Sequence, residues 1–241
     1  MPATRSRTFV LVHGAWHGGW CWRRVVDLLR ARGHEVLAPT LTGLGERSHL
    51  LSPDIDVNLH GRDVTNVLRF EDLDDVVLVG HSYGGPVISG VADAEPARIR
   101  HLVYLDSGIV EDGQALLDRL PPEVAAQRVA AAIDVDGTRC FPVPPAAAFG
   151  VTDLDDAAWV ERHLVPQPLN TFKAPIALSG PVGNGRPATY IVCSDPVYPP
   201  LEASRQWARD AGWPIREIAT GHDAMVSAAA PLADMLEDIA G

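Results

Sequence analysis

The ten residues VVLVGHSYGG at positions 76–85 constrain this chain more than any other stretch. Val76, Val77, Leu78 and Val79 are apolar without alternation, the pattern of a strand covered on both faces inside a parallel sheet. No polar loop follows, so the strand must run directly into a tight corner. Gly80 and Gly84 flank Ser82 as Gly-x-Ser-x-Gly, letting the backbone bend sharply and the next helix approach closely. The serine is left at the apex, beside the unpaired N–H groups of a helix beginning near Tyr83. Such a pattern also arises by chance as a plain strand-to-helix turn, so other residues must decide between the two.

The rest of the chain repeats the strand–helix alternation. Strands are expected at 8–13 (TFVLVH), 34–39 (HEVLAP, stopped by Pro39), 76–79 and 99–106 (IRHLVYLD), then again at 188–193 (ATYIVC) and 214–219 (PIREIA). Helices are expected over 20–33, 56–69, from the serine corner to about 95, over 201–211, and from Pro231 to Ile239. Cys21, Val25, Leu28 and Leu29 form one face of the first of these, and Gly33 marks its end. This predicts an α/β fold: a mostly parallel central sheet with helices on both faces, built from residues 1–107 and 188–241. Between 108 and 187 the pattern breaks into short helical pieces separated by prolines, which predicts an inserted, mainly helical lid.

Composition narrows the function. The 241 residues carry a formal charge of −11, which disfavours nucleic-acid and anionic-membrane partners. Arg5 and Arg7 form the one basic cluster and read as a solvated, frayed tail. No run is long enough to span a bilayer and the start shows no cleavable leader, so a soluble cytoplasmic domain is expected. The odd count of Cys21, Cys140 and Cys193 suggests neither a disulfide framework nor a zinc site. A homodimer is compatible with the sequence. His13 and His17 stand four apart, yet with no glutamate between them and no third ligand they read as structural, and no metal or cofactor is called for. The GLGER segment at 43–47 lacks the third glycine of a dinucleotide loop and reads as a turn.

A reactive serine needs a base, a group to hold that base, and donors for an oxyanion. His222, in ATGHDAM just after the last strand, is the base candidate. Asp195, past the end of the strand at 188–193, is the preferred acid, with Asp106 at the end of the 99–106 strand as its rival; Asp223 reads as a cap on the following turn. After the first strand, Gly14 leaves room for a substrate oxygen, so the N–H groups of Ala15 and Tyr83 are the candidate oxyanion donors. In the lid, Leu116, Leu117, Phe141, Phe149, Trp159, Leu164 and Phe172 outnumber the cations, which suggests an apolar pocket with Trp159 as one wall.

Assembled in this order, LVHGAWHGGWCW, PTLTGLGERSHL, LVGHSYGG and TGHDAMV resemble the α/β-hydrolases. The likeness is to the branch of plant methylesterases, hydroxynitrile lyases and bacterial carboxylesterases of the pyrethroid-hydrolase type. It covers most of the core and only loosely the lid. It implies Ser82 as nucleophile, His222 as base, Asp195 as acid, and Ala15 and Tyr83 as oxyanion donors; the loop before Asp195 is short for the family, which keeps Asp106 open. Lyases of this branch carry a threonine after the first-strand histidine and a lysine after the catalytic one. Gly14 and Asp223 stand there instead, so the resemblance points to hydrolysis. The expected activity is a cofactor-free serine carboxylesterase acting on an uncharged, fairly apolar small-molecule ester. A hydrolase or cyclase acting on a lactone or thioester, and a ligand-binding protein on a hydrolase scaffold, are the alternatives.

Overall fold

A computed structural model describes residues 6–241. In chain order the first half comprises β1 (Thr8–Val12), α1 (Arg23–Ala31), β2 (Glu35–Leu37), α2 (Val57–Phe70), β3 (Val76–His81), α3 (Gly84–Ala94) and β4 (Ile99–Leu105). A second segment carries α4 (Pro122–Ala130), β5 (Ile133–Val135), β6 (Thr138–Phe141), α5 (Leu154–Glu161), β7 (Gln167–Pro168) and α6 (Asn170–Lys173). The chain closes with β8 (Ala188–Cys193), α7 (Glu202–Asp210), β9 (Ile215–Ile218), α8 (Ala224–Ser227) and α9 (Ala229–Ala240).

The main sheet has the order β2-β1-β3-β4-β8-β9, and every pair in it is parallel. All six residues of β3 are buried, as its unbroken apolar run requires. Alternate residues divide between two core layers. Phe9, Leu11, Val77 and Val79 pack with Leu29 of α1 and Leu236 of α9, while Val10, Val12, Val76 and Leu78 pack with Leu68 of α2 and Val87 of α3. Local signals set the helix ends. Asp56 accepts from the Leu59 N–H at 2.7 Å to start α2, a contact of about 1 kcal/mol. Past α1, the His34 N–H reaches back to the Leu29 carbonyl at 3.2 Å over Gly33, whose φ is +88°.

The chain leaves β1 for β2 on one side and returns for β3 on the other. The carboxyl ends of β1 and β3 therefore flank a crevice, the usual ligand position in an open α/β sheet. The loop after β1 and the corner after β3 both open there.

The 108–187 segment departs from the expected mainly helical lid: beside its short helices it holds a three-stranded antiparallel sheet, β5-β6-β7. Its hairpin turns through Asp136 and Gly137, both left-handed with φ of +49° and +80°. Asp-Gly between short strands is the chemistry of a two-residue hairpin turn, a signal the proline-rich surroundings obscured. Arg7 is a second departure. It is buried, and its guanidinium donates to the Gly241 carbonyl, so it is no solvated tail; Arg5 lies outside the described residues. The GLGER segment is a turn into a short 3-10 helix, Gly45–Leu50, and all three cysteines are free and buried. No helix of the described residues is long and apolar enough to cross a membrane.

Candidate active site

Ser82 sits one residue beyond β3 with φ of +53°, a conformation costing about 1–3 kcal/mol for a non-glycine residue. Hydrogen bonds on both sides of the residue hold it. Its N–H donates to the Leu105 carbonyl at 3.1 Å, and its carbonyl accepts from the Gly108 N–H at 2.9 Å, the Ser107 hydroxyl at 2.8 Å and the Gly85 N–H at 3.2 Å. The glycines are spatial necessities. A Cβ on Gly80 would lie 2.6 Å from the Gly84 carbonyl oxygen, one on Gly84 2.9 Å from that of Val12, and one on Gly85 2.2 Å from that of Gly108. Gly14 approaches the same corner, where a Cβ would stand 3.0 Å from that of Ser82.

The structure brings Ser82 and His222 together. The hydroxyl donates to His222 Nε2 at 2.9 Å, which leaves the ring proton on Nδ1. That Nδ1–H donates to Asp106 Oδ2 at 2.7 Å. Asp106, not Asp195, therefore holds the imidazole, and the preference for Asp195 is corrected. Register explains why. His81 pairs with Leu105 across β3 and β4, so the next residues, Ser82 and Asp106, emerge side by side. Asp195 lies exposed in the turn after β8, its N–H bonded to the Thr220 carbonyl at 3.1 Å.

A fully buried carboxylate such as Asp106 needs compensation, and Arg205 from α7 supplies it. Its guanidinium donates to Asp106 Oδ1 at 3.1 Å and to the Tyr198 carbonyl at 2.7 Å. Tyr198 in turn stacks flat on the His222 ring, centroids 4.2 Å apart. The sequence reading missed Arg205 and Tyr198. Each would have been a natural suspect only once Asp106 was known to be the buried acid.

Tyr83 follows Ser82 directly and Ala15 follows Gly14, the residue that approaches the Ser82 corner; both are buried. The Tyr83 hydroxyl donates to His60 Nδ1 at 2.7 Å and its ring stacks on Phe172. His13 and His17 are structural. His13 Nδ1 donates to the Gly14 carbonyl at 2.8 Å and its Nε2 accepts from the Leu41 N–H at 3.1 Å; burial pushes this imidazole down to about 3. His17 and Asp223 form a second buried pair, Nε2 to Oδ2 at 3.0 Å. Asp223 thus does not cap α8 with its side chain, as had been expected; only its carbonyl receives the Val226 and Ser227 N–H groups. His81 also lies in this layer, kept neutral by burial and donating Nε2–H to the His222 carbonyl at 3.0 Å.

Ser82 opens into a cavity walled by Trp16, Tyr83, Leu116, Phe172, Tyr198 and Leu201. A second chamber, bounded by Phe141, Phe149 and prolines, shares Trp16, Phe172, Tyr198 and Arg128 with the first. Two expectations change here. Arg119 and Arg128 both line the catalytic cavity, so it is less devoid of cations than the composition of the 108–187 segment suggested. Trp159 is not one of its walls. It meets Trp20 edge-to-face at 5.1 Å and lies under the Arg24 guanidinium at 5.3 Å, while Arg24 bonds Asp156 of the same helix; these contacts fasten α5 to the sheet layer. The wall role falls to Trp16, just past the first-strand glycine.

The profile of the alpha/beta hydrolase family matches residues 9–235. The chain belongs to that family. Over 238 residues it is 44% identical to a carbendazim hydrolyzing esterase from Nocardioides sp. (strain SG-4G), covering 95% of this chain and 97% of that protein. It is 27% identical over 238 residues to Methylesterase 7 of Arabidopsis thaliana, covering 93% and 91%. A solved pyrethroid hydrolase from Sphingobium faniae superimposes with a TM-score of 0.77 at 26% identity, covering 98% of each chain.

Proposed function

We propose that this chain is a serine carboxylesterase working through an acyl-enzyme. The unbroken contact from Ser82 Oγ through His222 to Asp106 carries the reading. In this scheme Ser82 attacks the ester carbonyl while His222 Nε2 takes its proton. The imidazolium so formed keeps its Nδ1–H on Asp106, whose other oxygen stays with Arg205. The N–H groups of Ala15 and Tyr83 receive the oxyanion, each worth on the order of 100- to 1000-fold in rate. His222 then passes the proton to the leaving alcohol, and water, activated by the same base, releases the acid. The chemistry draws only on side chains, backbone N–H groups and water.

For the substrate we propose a small ester bearing a flat aromatic group. The rings of Trp16, Phe172 and Tyr198 around Ser82 support it, since aromatic faces favour offset stacking. So does the near full-length likeness to an esterase named for carbendazim. Turnover of p-nitrophenyl acetate tests the chemistry. Ser82→Ala is expected to lower kcat by roughly 10⁴-fold or more; retained turnover would remove the assignment.

A further inference from the structure

The oxyanion loop and the base loop are joined beneath the active site by a contact that no step of the proposed reaction uses. His17 donates from both ring nitrogens: Nδ1–H to the Ala15 carbonyl at 2.7 Å and Nε2–H to Asp223 Oδ2 at 3.0 Å. Both side chains are essentially inaccessible to solvent. Burial alone would drive the His17 proton off, but the charge and hydrogen bond of Asp223 outweigh it and hold the imidazole above its ordinary value. The same pairing keeps the Asp223 carboxyl below its ordinary range against its own burial.

What these bonds grip matters. The direction of the Ala15 N–H depends on the two peptide planes around that residue. His13 holds the first through the Gly14 carbonyl. His17 holds the second through the Ala15 carbonyl, helped by the Trp16 N–H, which donates to Gln167 Oε1 at 2.8 Å. At the far end of the pair stands Asp223, next to His222, and the Asp223 N–H donates to the Phe149 carbonyl at 3.2 Å. We infer that the buried His17–Asp223 ion pair is a positioning strut, keeping the oxyanion donor of Ala15 and the base His222 in one fixed relation. The inference rests on the esterase reading for the roles of Ala15 and His222. His17 and Asp223 are positioning residues, touching neither substrate nor the reacting atoms.

A charge change here is also felt at the base. Asp106 with Arg205 behind it, His81 and Tyr198 face His222, and Asp223 faces both His17 and His81, the latter at 3.9 Å. His17→Gln would strand the Asp223 carboxylate without its cation beside the catalytic imidazole, favouring the protonated ring. His17→Gln, Asp223→Asn and the double variant should be assayed on p-nitrophenyl acetate across pH, with kcat and KM separated, well below each variant's melting temperature. The strut predicts that His17→Gln loses roughly 10- to 100-fold in kcat with little change in KM. The acid limb of its kcat/KM profile should move to higher pH. In the double variant, where an amide pair replaces the charges, that limb should return and kcat should partly recover. A kcat within about twofold of the wild type in folded His17→Gln would overturn the inference. Nitrogen-15 NMR of wild-type His17 adds a readout independent of folding and of activity. Both ring nitrogens should be protonated at neutral pH, and a neutral ring there would overturn the strut too. Turnover by Ser82→Ala, in contrast, would sink the esterase reading while leaving the NMR result to stand.

Discussion

The sheet layer and the 108–187 segment meet at one cavity but bring different things to it. Every atom in the chain of contacts from Ser82 Oγ to Arg205 comes from the ends of β3 and β4, the loop after β9, or α7. To the cavity walls the 108–187 segment contributes Leu116, Arg119, Arg128 and Phe172, side chains that shape space, while its Gly108, Phe149 and Gln167 brace the loops of the sheet layer from outside that chain of contacts. The difference follows from rigidity. Adjacent parallel strands in fixed register hold Ser82 and Asp106 side by side, whereas the short helices and small hairpin sheet beyond Gly108 take no part in that register. Substitutions in the first region should therefore act on kcat, and those lining the cavity on KM and substrate choice.

The largest expected contrast lies between two aspartates. Asp106→Asn should lower kcat/KM by about 10³- to 10⁴-fold, because the amide can favour the wrong imidazole tautomer and cannot stabilise the imidazolium. Asp195→Asn should stay within about twofold, as for exposed sites generally. Similar losses from both would break the assignment of Asp106.

A smaller contrast separates two tryptophans. Trp16→Ala should raise KM for an aromatic ester by about 3- to 10-fold with less effect on kcat, through lost stacking area. Trp159→Ala should leave kinetics nearly unchanged yet cost about 1–3 kcal/mol in stability, read as a lower melting temperature, because it removes the T-shaped contact with Trp20 and the Arg24 contact. If Trp159→Ala changed KM while Trp16→Ala did not, the wall would have been misplaced.

The same two regions differ in how far the sequence discloses them. Four strands of the main sheet, β1, β3, β4 and β8, follow from apolar runs that become buried, and the serine corner from the glycines that flank it. Ser82 and His222 were legible for that reason. Asp106 was weighed and ranked second, since the identity of the acid depends on the register between β3 and β4, which a single sequence does not display. Arg205 was invisible because its role exists only in relation to Asp106, ninety-nine residues away. Asp223, taken for a cap from its place before α8, proved to answer His17 across the fold. In the 108–187 segment Asp136–Gly137 carries a hairpin signal, but Pro142, Pro144 and Pro145 close behind it are chain breakers that mask the pairing of such short strands. Trp159 illustrates the same limit: bulk and hydrophobicity mark a side chain as buried without telling which surface it covers.

Reaction of the wild-type protein with a fluorophosphonate, followed by peptide mapping, probes the Ser82–His222–Asp106 arrangement most directly, because only an activated serine reacts rapidly. The account predicts one phosphonyl group, on Ser82, with labelling slowed by orders of magnitude in His222→Ala. Modification elsewhere, or labelling at Ser82 that proceeds equally fast without the His222 imidazole, would contradict it.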